Sequence, residues 1–189
     1  MENIESICLE LVRSNRVDNK KDEIIKFQDI LLKPIDIDDI ETIRNLRNSE
    51  NKNGTFKNIK YITKEEQKKW FNNYINNSND KMFMINFNNK YVGTVAIYNI
   101  DNKQGLAEFG RILVKEEYRG NCIGLKATKG ICKYAFETLG LNKIILEVFK
   151  DNINAFNLYK KIGFKVVDID IVENREIVLM ELFNSQLKI

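Results

Sequence analysis

Phe109-Gly110-Arg111-Ile112-Leu113-Val114, a short charged bend, and then Arg119-Gly120-Asn121-Cys122-Ile123-Gly124 form the stretch that decides the fold. The first six residues read as an apolar strand, and the last six as a glycine-containing turn that opens a helix. A strand that passes through such a turn into a helix gathers several backbone N–H groups at one point, with the positive end of the helix dipole behind them. That arrangement is an anion site, and its natural guest is a pyrophosphate.

A second stretch gives the first its meaning. Asp151-Asn152-Ile153-Asn154-Ala155-Phe156-Asn157-Leu158-Tyr159-Lys160-Lys161-Ile162-Gly163-Phe164 follows the apolar strand Ile144 to Phe149. Together the two segments resemble the GNAT superfamily of acyl-CoA N-acyltransferases. The first is similar to that family's acetyl-CoA pyrophosphate loop (Arg or Gln, two residues, Gly, any residue, Gly or Ala). The second is similar to its asparagine-alanine-tyrosine helix, which ends in glycine-phenylalanine. At one position the loop departs from the pattern: Cys122 stands where the family has its middle glycine, so a side chain occupies a place where backbone approaches phosphate closely.

Composition narrows the chemistry. A chain of 189 residues suits one domain, and 43% hydrophobic residues with a single proline leave no proline-rich linker. The formal charge of +3 argues against a nucleic-acid partner and suits an anionic small molecule. No apolar run has membrane-spanning length, and the acidic start Met1-Glu2-Asn3-Ile4-Glu5 is unlike a secretory leader, so a cytoplasmic location without membrane contact is expected. Three cysteines at positions 8, 122 and 132 give neither a disulfide framework nor metal spacing. With no histidine in the chain, acid–base work falls to carboxylates, tyrosine, lysine, cysteine or water.

Ile4, Ile7, Cys8, Leu11 and Val12 recur at helical spacing, so residues 1–28 are expected to form a helical extension ahead of a domain over 29–189. Strand Ile30 to Ile35 contains Pro34, which suits an edge or an exit. A helix over Ile37 to Ser49 places Ile37, Ile40, Ile43 and Leu46 on one side, with Arg44 and Arg47 within the same inward arc. Long arginine stems can simply cover an apolar face, or the guanidinium forks can bind phosphate. Thr63-Lys64-Glu65-Glu66 is a capping box opening a helix whose bulky face carries Trp70, Phe71, Tyr74 and Ile75.

Met82 to Phe87 and Tyr91 to Ile100 read as a hairpin around Asn88-Asn89. Helix Leu125 to Leu139 stops at Gly140, and the strand after it should lie parallel to the central one through a helical crossover. Lys165 to Val172 and Glu176 to Phe183 complete the sheet. The expected order is β-α-α-β-β-β-α-β-α-β-β, an α/β fold with a GNAT-like mixed central sheet flanked by helices.

The resemblance implies acetyl transfer from acetyl-CoA, as cosubstrate, to a primary amine. It implies that the pantetheine arm lies beside Ile112, Leu113 and Val114 like an added strand. Amides of Arg119, Gly120, Asn121, Cys122, Ile123 and Gly124, with Leu125 and Lys126, would hold the pyrophosphate, and a main-chain N–H near Leu113 would face the oxyanion. Tyr159 matches the family tyrosine that protonates the departing thiolate. Asn152 matches an asparagine that contacts the cofactor arm, although capping the helix start is equally good physics for it.

The base that takes the amine proton is expected to be Glu108, directly or through water, with Glu147 second. Cys122 reads as a small filler rather than a nucleophile. Ile43 to Ser49 followed by Ile62 to Trp70 is similar to nucleotide-amino-sugar N-acetyltransferases, which makes Arg44, Arg47 and Trp70 candidate acceptor-binding residues and a nucleotide-sugar the expected partner. Gln67 and Leu46 stand where that subgroup often has histidine and tryptophan. The alternatives are acetylation of protein N-termini, of a polyamine or aminoglycoside, or a CoA-binding module without turnover. A homodimer is plausible from the edge strand and the N-terminal helix.

Overall fold

Local chemistry sets where each element starts and stops. Asn88 and Asn89 both sit at positive φ (50° and 60°), the conformation a two-residue hairpin turn demands, and fold β3 (Lys81–Phe87) onto β4 (Lys90–Asp101). The Asp36 carboxylate accepts from the Asp38 N–H and starts a single 3-10 turn, Ile37–Asp39, that runs into α1 (Ile40–Glu50). Thr63 and Glu66 exchange the two bonds of the capping box and open α2 (Lys64–Ile75). Gly163, at φ 122°, ends α4 (Ile153–Ile162), and a Cβ there would stand 2.1 Å from the Gln186 carbonyl oxygen.

The computed structural model describes residues 24–50 and 60–188. The expected helix at Ile4 to Val12 lies outside them, as does Asn53-Gly54, a dipeptide whose sequence predicts a turn. The remaining elements are β1 (Ile25–Phe27), β2 (Ile30–Pro34), β5 (Leu106–Val114), α3 (Ile123–Glu137), β6 (Lys143–Phe149), β7 (Lys165–Val172) and β8 (Arg175–Phe183). They build one mixed sheet in the order β1-β2-β3-β4-β5-β6-β8-β7. The element order expected from the sequence is present with one strand added. Ile25–Phe27, expected within a helical extension, is instead strand β1, because Gln28 at φ 54° turns it back onto Ile30–Leu32. Pro34 lies past the last residue that β1 pairs, so no ladder bond is asked of its missing N–H on that side.

Helices cover both faces. Ile40 and Ile43 of α1 and Phe71 and Tyr74 of α2 pack on Ile35, Met82, Met84 and Ala96. The larger cluster joins α3 and α4 to the other face through Ile123, Ala127, Ile131, Tyr159 and Ile162 against Phe83, Val95, Phe109, Leu146 and Met180. Among the described residues no helix is long and apolar enough to cross a membrane.

Two irregularities in β5 create the site. β5 and β6 are parallel, as the crossover required, but pairing extends only from Leu106↔Lys143 to Glu108↔Ile145. Beyond Glu108 the two strands part, and among the described residues β5 has no ladder partner on that side. On its other side, the register against β4 moves from Ala96↔Gly110 to Thr94↔Leu113, so three steps on β5 oppose two on β4. The extra residue is Arg111, at φ 50°, a β-bulge.

One inserted residue reverses the in–out alternation beyond it. Ala107 and Phe109 face the large cluster, but so do Ile112 and Val114, whereas strict alternation would have turned these two away. Arg111 and Leu113 therefore emerge on the opposite face, toward α1 and α2.

Candidate active site

The turn before α3 leaves its backbone donors open. The first helical bond into the turn runs from the Lys126 N–H to the Cys122 carbonyl at 3.0 Å, and the Arg119 N–H is taken by Glu116 at 3.0 Å. Among the described residues no acceptor takes the N–H groups of Gly120, Asn121, Cys122, Ile123, Gly124 or Leu125. Six donors converge at the N-terminus of a 15-residue helix, where the dipole adds to them. Cys122 is the helix N-cap in the left-handed region (φ 57°, ψ 15°) and is exposed. It holds a glycine-like backbone at a steric cost that glycine would avoid.

The other parts of the donor side lie next to this crown. A Cβ added to Gly124 would come within 4.0 Å of Leu158 on α4 and of Val114 and Ile112 on β5, so the loop, the parted strand and α4 meet there. Asn152 caps α4, its side chain accepting from the Ala155 N–H at 3.3 Å. Tyr159, about two turns on from Asn152, stands edge-on to Phe109 at 5.7 Å and to Phe164 at 5.8 Å. Burial, and then the neighbouring Cys132, push its phenol above the ordinary tyrosine range, so at neutral pH it keeps the proton it can donate. No other described residue hydrogen-bonds its hydroxyl.

Across β5 lies a cavity of about 460 Å³ between α1, α2 and the sheet. Arg47, Lys60, Arg111, Glu66, Gln67 and Trp70 supply its polar and aromatic lining, and Thr94, Met82 and Leu113 its floor. Three cations thus face one carboxylate. That carboxylate, Glu66, is held by the Lys60 ammonium at 2.7 Å and by the Thr63 cap. Burial lowers the affinity of Arg47 for its proton, and the Arg111 guanidinium lowers it further.

Arg44 has a different role from the acceptor contact expected of it. Its guanidinium binds the Glu41 carboxylate at 2.6 and 3.0 Å, the Tyr61 hydroxyl at 3.1 Å and the Ile62 carbonyl at 3.1 Å. Asn48 grips Ile62 from both sides, at 2.9 Å to its carbonyl and 2.9 Å to its N–H. Arg44 therefore fastens the Tyr61–Ile62 wall of the cavity to α1, and only Arg47 of the two arginines opens into it.

Glu108 does not line the cavity. Its carboxylate accepts from the Tyr98 hydroxyl at 2.6 Å and from Asn99 at 2.9 Å. Gly110 makes room for this pair, since a Cβ there would lie 2.8 Å from the Tyr98 oxygen. Arg111 lies over the Tyr98 ring at 4.4 Å and itself lines the cavity. Glu147 is exposed on β6, two residues past Ile145 and on the same side of the sheet as Glu108. Sequence reasoning missed Arg111, Lys60 and Thr94. The only available sign for Arg111 was a charged residue inside an otherwise apolar strand.

A parted parallel strand pair beside a crown of open amides has the donors an acyl-CoA would need, and comparison places the chain in a family. The profile of the Acetyltransferase (GNAT) domain matches residues 29–165, so the chain belongs to the GNAT acetyltransferases. It is accordingly an N-acetyltransferase that uses acetyl-CoA. The Acetyltransferase PseH of Campylobacter jejuni (serotype O:23/36, strain 81-176) is 33% identical over 70% of this chain and 80% of its own length. The Spermidine N(1)-acetyltransferase of Escherichia coli K12 is 26% identical over 72% of this chain and 73% of its own. A spermidine N-acetyltransferase from Vibrio cholerae, solved in complex with CoA and spermine, shares the fold with a TM-score of 0.78 at 23% identity, covering 84% of this chain and 97% of that one.

Proposed function

We propose that the chain acetylates the amino group of a nucleotide-linked amino-sugar. The observation that carries this reading is the cavity's lining: three cations, Arg47, Lys60 and Arg111, and one carboxylate, Glu66, with Asp80 pairing Arg111 from behind the lining. A polycationic acceptor would enter against that field, whereas a diphosphate would be drawn in by it.

Acetyl-CoA, when bound, supplies the thioester that the amine attacks. The residues of this chain hold and order it: the open amides of Gly120 to Leu125 receive the diphosphate, and the unpaired edge of Ile112 to Val114 receives the arm. A main-chain N–H near Leu113 stabilises the carbonyl oxygen as it gains charge. Tyr159 donates to the sulfur as it leaves. A phenol is a weak acid, with an ordinary pKa near ~10, so its effect depends on being fixed close to the developing thiolate. Glu108 receives the ammonium proton through water, since its carboxylate is engaged by Tyr98 and Asn99 and is not part of the cavity lining. Asn152 holds the start of α4 and with it the position of Tyr159.

A second reading, polyamine acetylation, is favoured by the relatives named spermidine N-acetyltransferases. Thiol release from acetyl-CoA, measured against UDP-linked amino-sugars, spermidine, spermine and N-terminal peptides, separates the two. Turnover confined to the polyamines would remove the sugar assignment, and no turnover with any amine would favour a binding module.

A further inference from the structure

Arg111 is held in place from three directions. Its Nη1 donates to the Asp80 carboxylate at 2.7 Å, a carboxylate with only 9% of its side chain exposed. Its guanidinium carbon lies 4.4 Å from the centre of the Tyr98 ring and 5.9 Å from that of Trp70. Its own carbonyl accepts from the buried Thr94 hydroxyl at 3.0 Å. A long side chain normally loses considerable rotamer freedom on binding a ligand, and here most of that loss is already made in the folded protein.

The mount leaves donors to spare. Nε and Nη2 of Arg111 have no hydrogen-bond acceptor among the described residues, and the side chain lines the cavity. Gln67 lines it too. That residue is 5% exposed, and its Nε2 is a buried donor without an acceptor among the described residues. A buried amide hydrogen left unpaired is costly, and donor groups that converge on one cavity from a strand and a helix call for a ligand made of acceptors. The Asp80 carboxylate takes Nη1 and leaves the other two guanidinium nitrogens without an acceptor among the described residues. Arg47, at the same cavity, adds a second guanidinium that repels the first.

We infer that Arg111 and Gln67 form the oxyanion-recognising subsite of the acceptor cavity, taking the phosphate of the acceptor, with Asp80 and the Thr94-held bulge as positioning groups. This rests on the acceptor reading above and names the groups that would read it. The bulge links the two halves of the reaction. The same inserted residue turns Arg111 toward the acceptor and turns Leu113, two positions on, to the cavity floor beside the unpaired donor edge. Specificity for an anionic acceptor and alignment of the donor strand are thus set by one backbone irregularity.

The subsite is tested with inorganic pyrophosphate as probe, titrated calorimetrically into protein already saturated with CoA so that the Gly120–Leu125 crown is filled. Wild-type protein should bind it. Arg111→Ala should weaken binding by about tenfold or more, Arg111→Lys by several-fold because a point charge replaces the stacked fork, and Gln67→Leu by several-fold. CoA affinity should stay within about twofold in all three, which shows that each variant is folded. Absence of pyrophosphate binding in wild type, or equal binding by Arg111→Ala and Arg111→Lys, would overturn the subsite. The acceptor reading fails differently: pyrophosphate binds and depends on Arg111, yet no UDP-linked amino-sugar is acetylated.

Discussion

Thr94, fully buried on β4, donates its hydroxyl hydrogen to the carbonyl oxygen of Arg111 at 3.0 Å and so pins the bulge of the neighbouring strand. Valine at this position keeps the volume and removes the donor, leaving a carbonyl short of a partner. The expected loss of stability for Thr94→Val is about 1–2 kcal/mol, read from urea melts. Turnover should fall by more than the Michaelis constant for acetyl-CoA rises, and Thr94→Ser should restore both. A valine variant with wild-type turnover would show that the bulge needs no pin.

Removing the Tyr159 hydroxyl with phenylalanine keeps the ring between Phe109 and Phe164 and deletes only the proton donor. Turnover should drop by about 10²-fold or more, with acetyl-CoA affinity little changed. Unaltered turnover in Tyr159→Phe would dismiss the acid role.

The same substitution has a pH signature. Burial raises the Tyr159 pKa above that of the unfolded chain, so its contribution to stability is complete below the unfolded value near ~10 and is lost as pH rises through the folded one. Tyr98, raised by burial and by Glu108, adds a loss of the same sign. Above about pH 10 the melting temperature of wild type should therefore fall more steeply than that of Tyr159→Phe. Parallel alkaline limbs would mean that the phenol is hydrated in the folded state.

At Cys122 two backbone effects compete. The left-handed conformation costs a side chain roughly 1–2 kcal/mol, and glycine gives back about 0.5–1 kcal/mol in unfolded-state entropy. Cys122→Gly should therefore be neutral to about 1.5 kcal/mol stabilising, and should tighten CoA by clearing the approach to the crown. Weaker CoA binding in this variant would show that the thiol is part of the grip.

Arg47→Ala should raise the apparent Michaelis constant of a UDP-linked amino-sugar about tenfold while sparing that of acetyl-CoA, because Arg47 lines the cavity proposed for the acceptor. An unchanged constant removes the phosphate contact from this residue.

The turn and helix signals of this chain carried most of the fold. Thr63-Lys64-Glu65-Glu66, Asn88-Asn89, Gly140 and Gly163 each sit where a cap or a positive φ is needed, and the elements they bound match the structure to within a few residues. β1 escaped because three residues are too few for a period-2 pattern to register. The open amides before α3 were readable because they are backbone at a glycine turn. The acceptor side was less so. A bulge has no composition of its own, so the half-turn that swings Arg111 into the cavity is invisible until β4 and β5 are paired. Helical phase placed Arg44 and Arg47 alike, but it could not foresee that Tyr61 and Ile62 would claim the first of them.

The most direct measurement mixes a UDP-linked amino-sugar and spermidine at equal concentration with limiting acetyl-CoA and counts the two acetylated products by mass spectrometry. The cavity's excess of guanidinium and ammonium over carboxylate leads to a product ratio of at least about 100 to 1 in favour of the sugar, a difference of roughly 2.7 kcal/mol in transition-state binding. A ratio near unity, or an excess of acetylspermidine, would contradict the acceptor assignment.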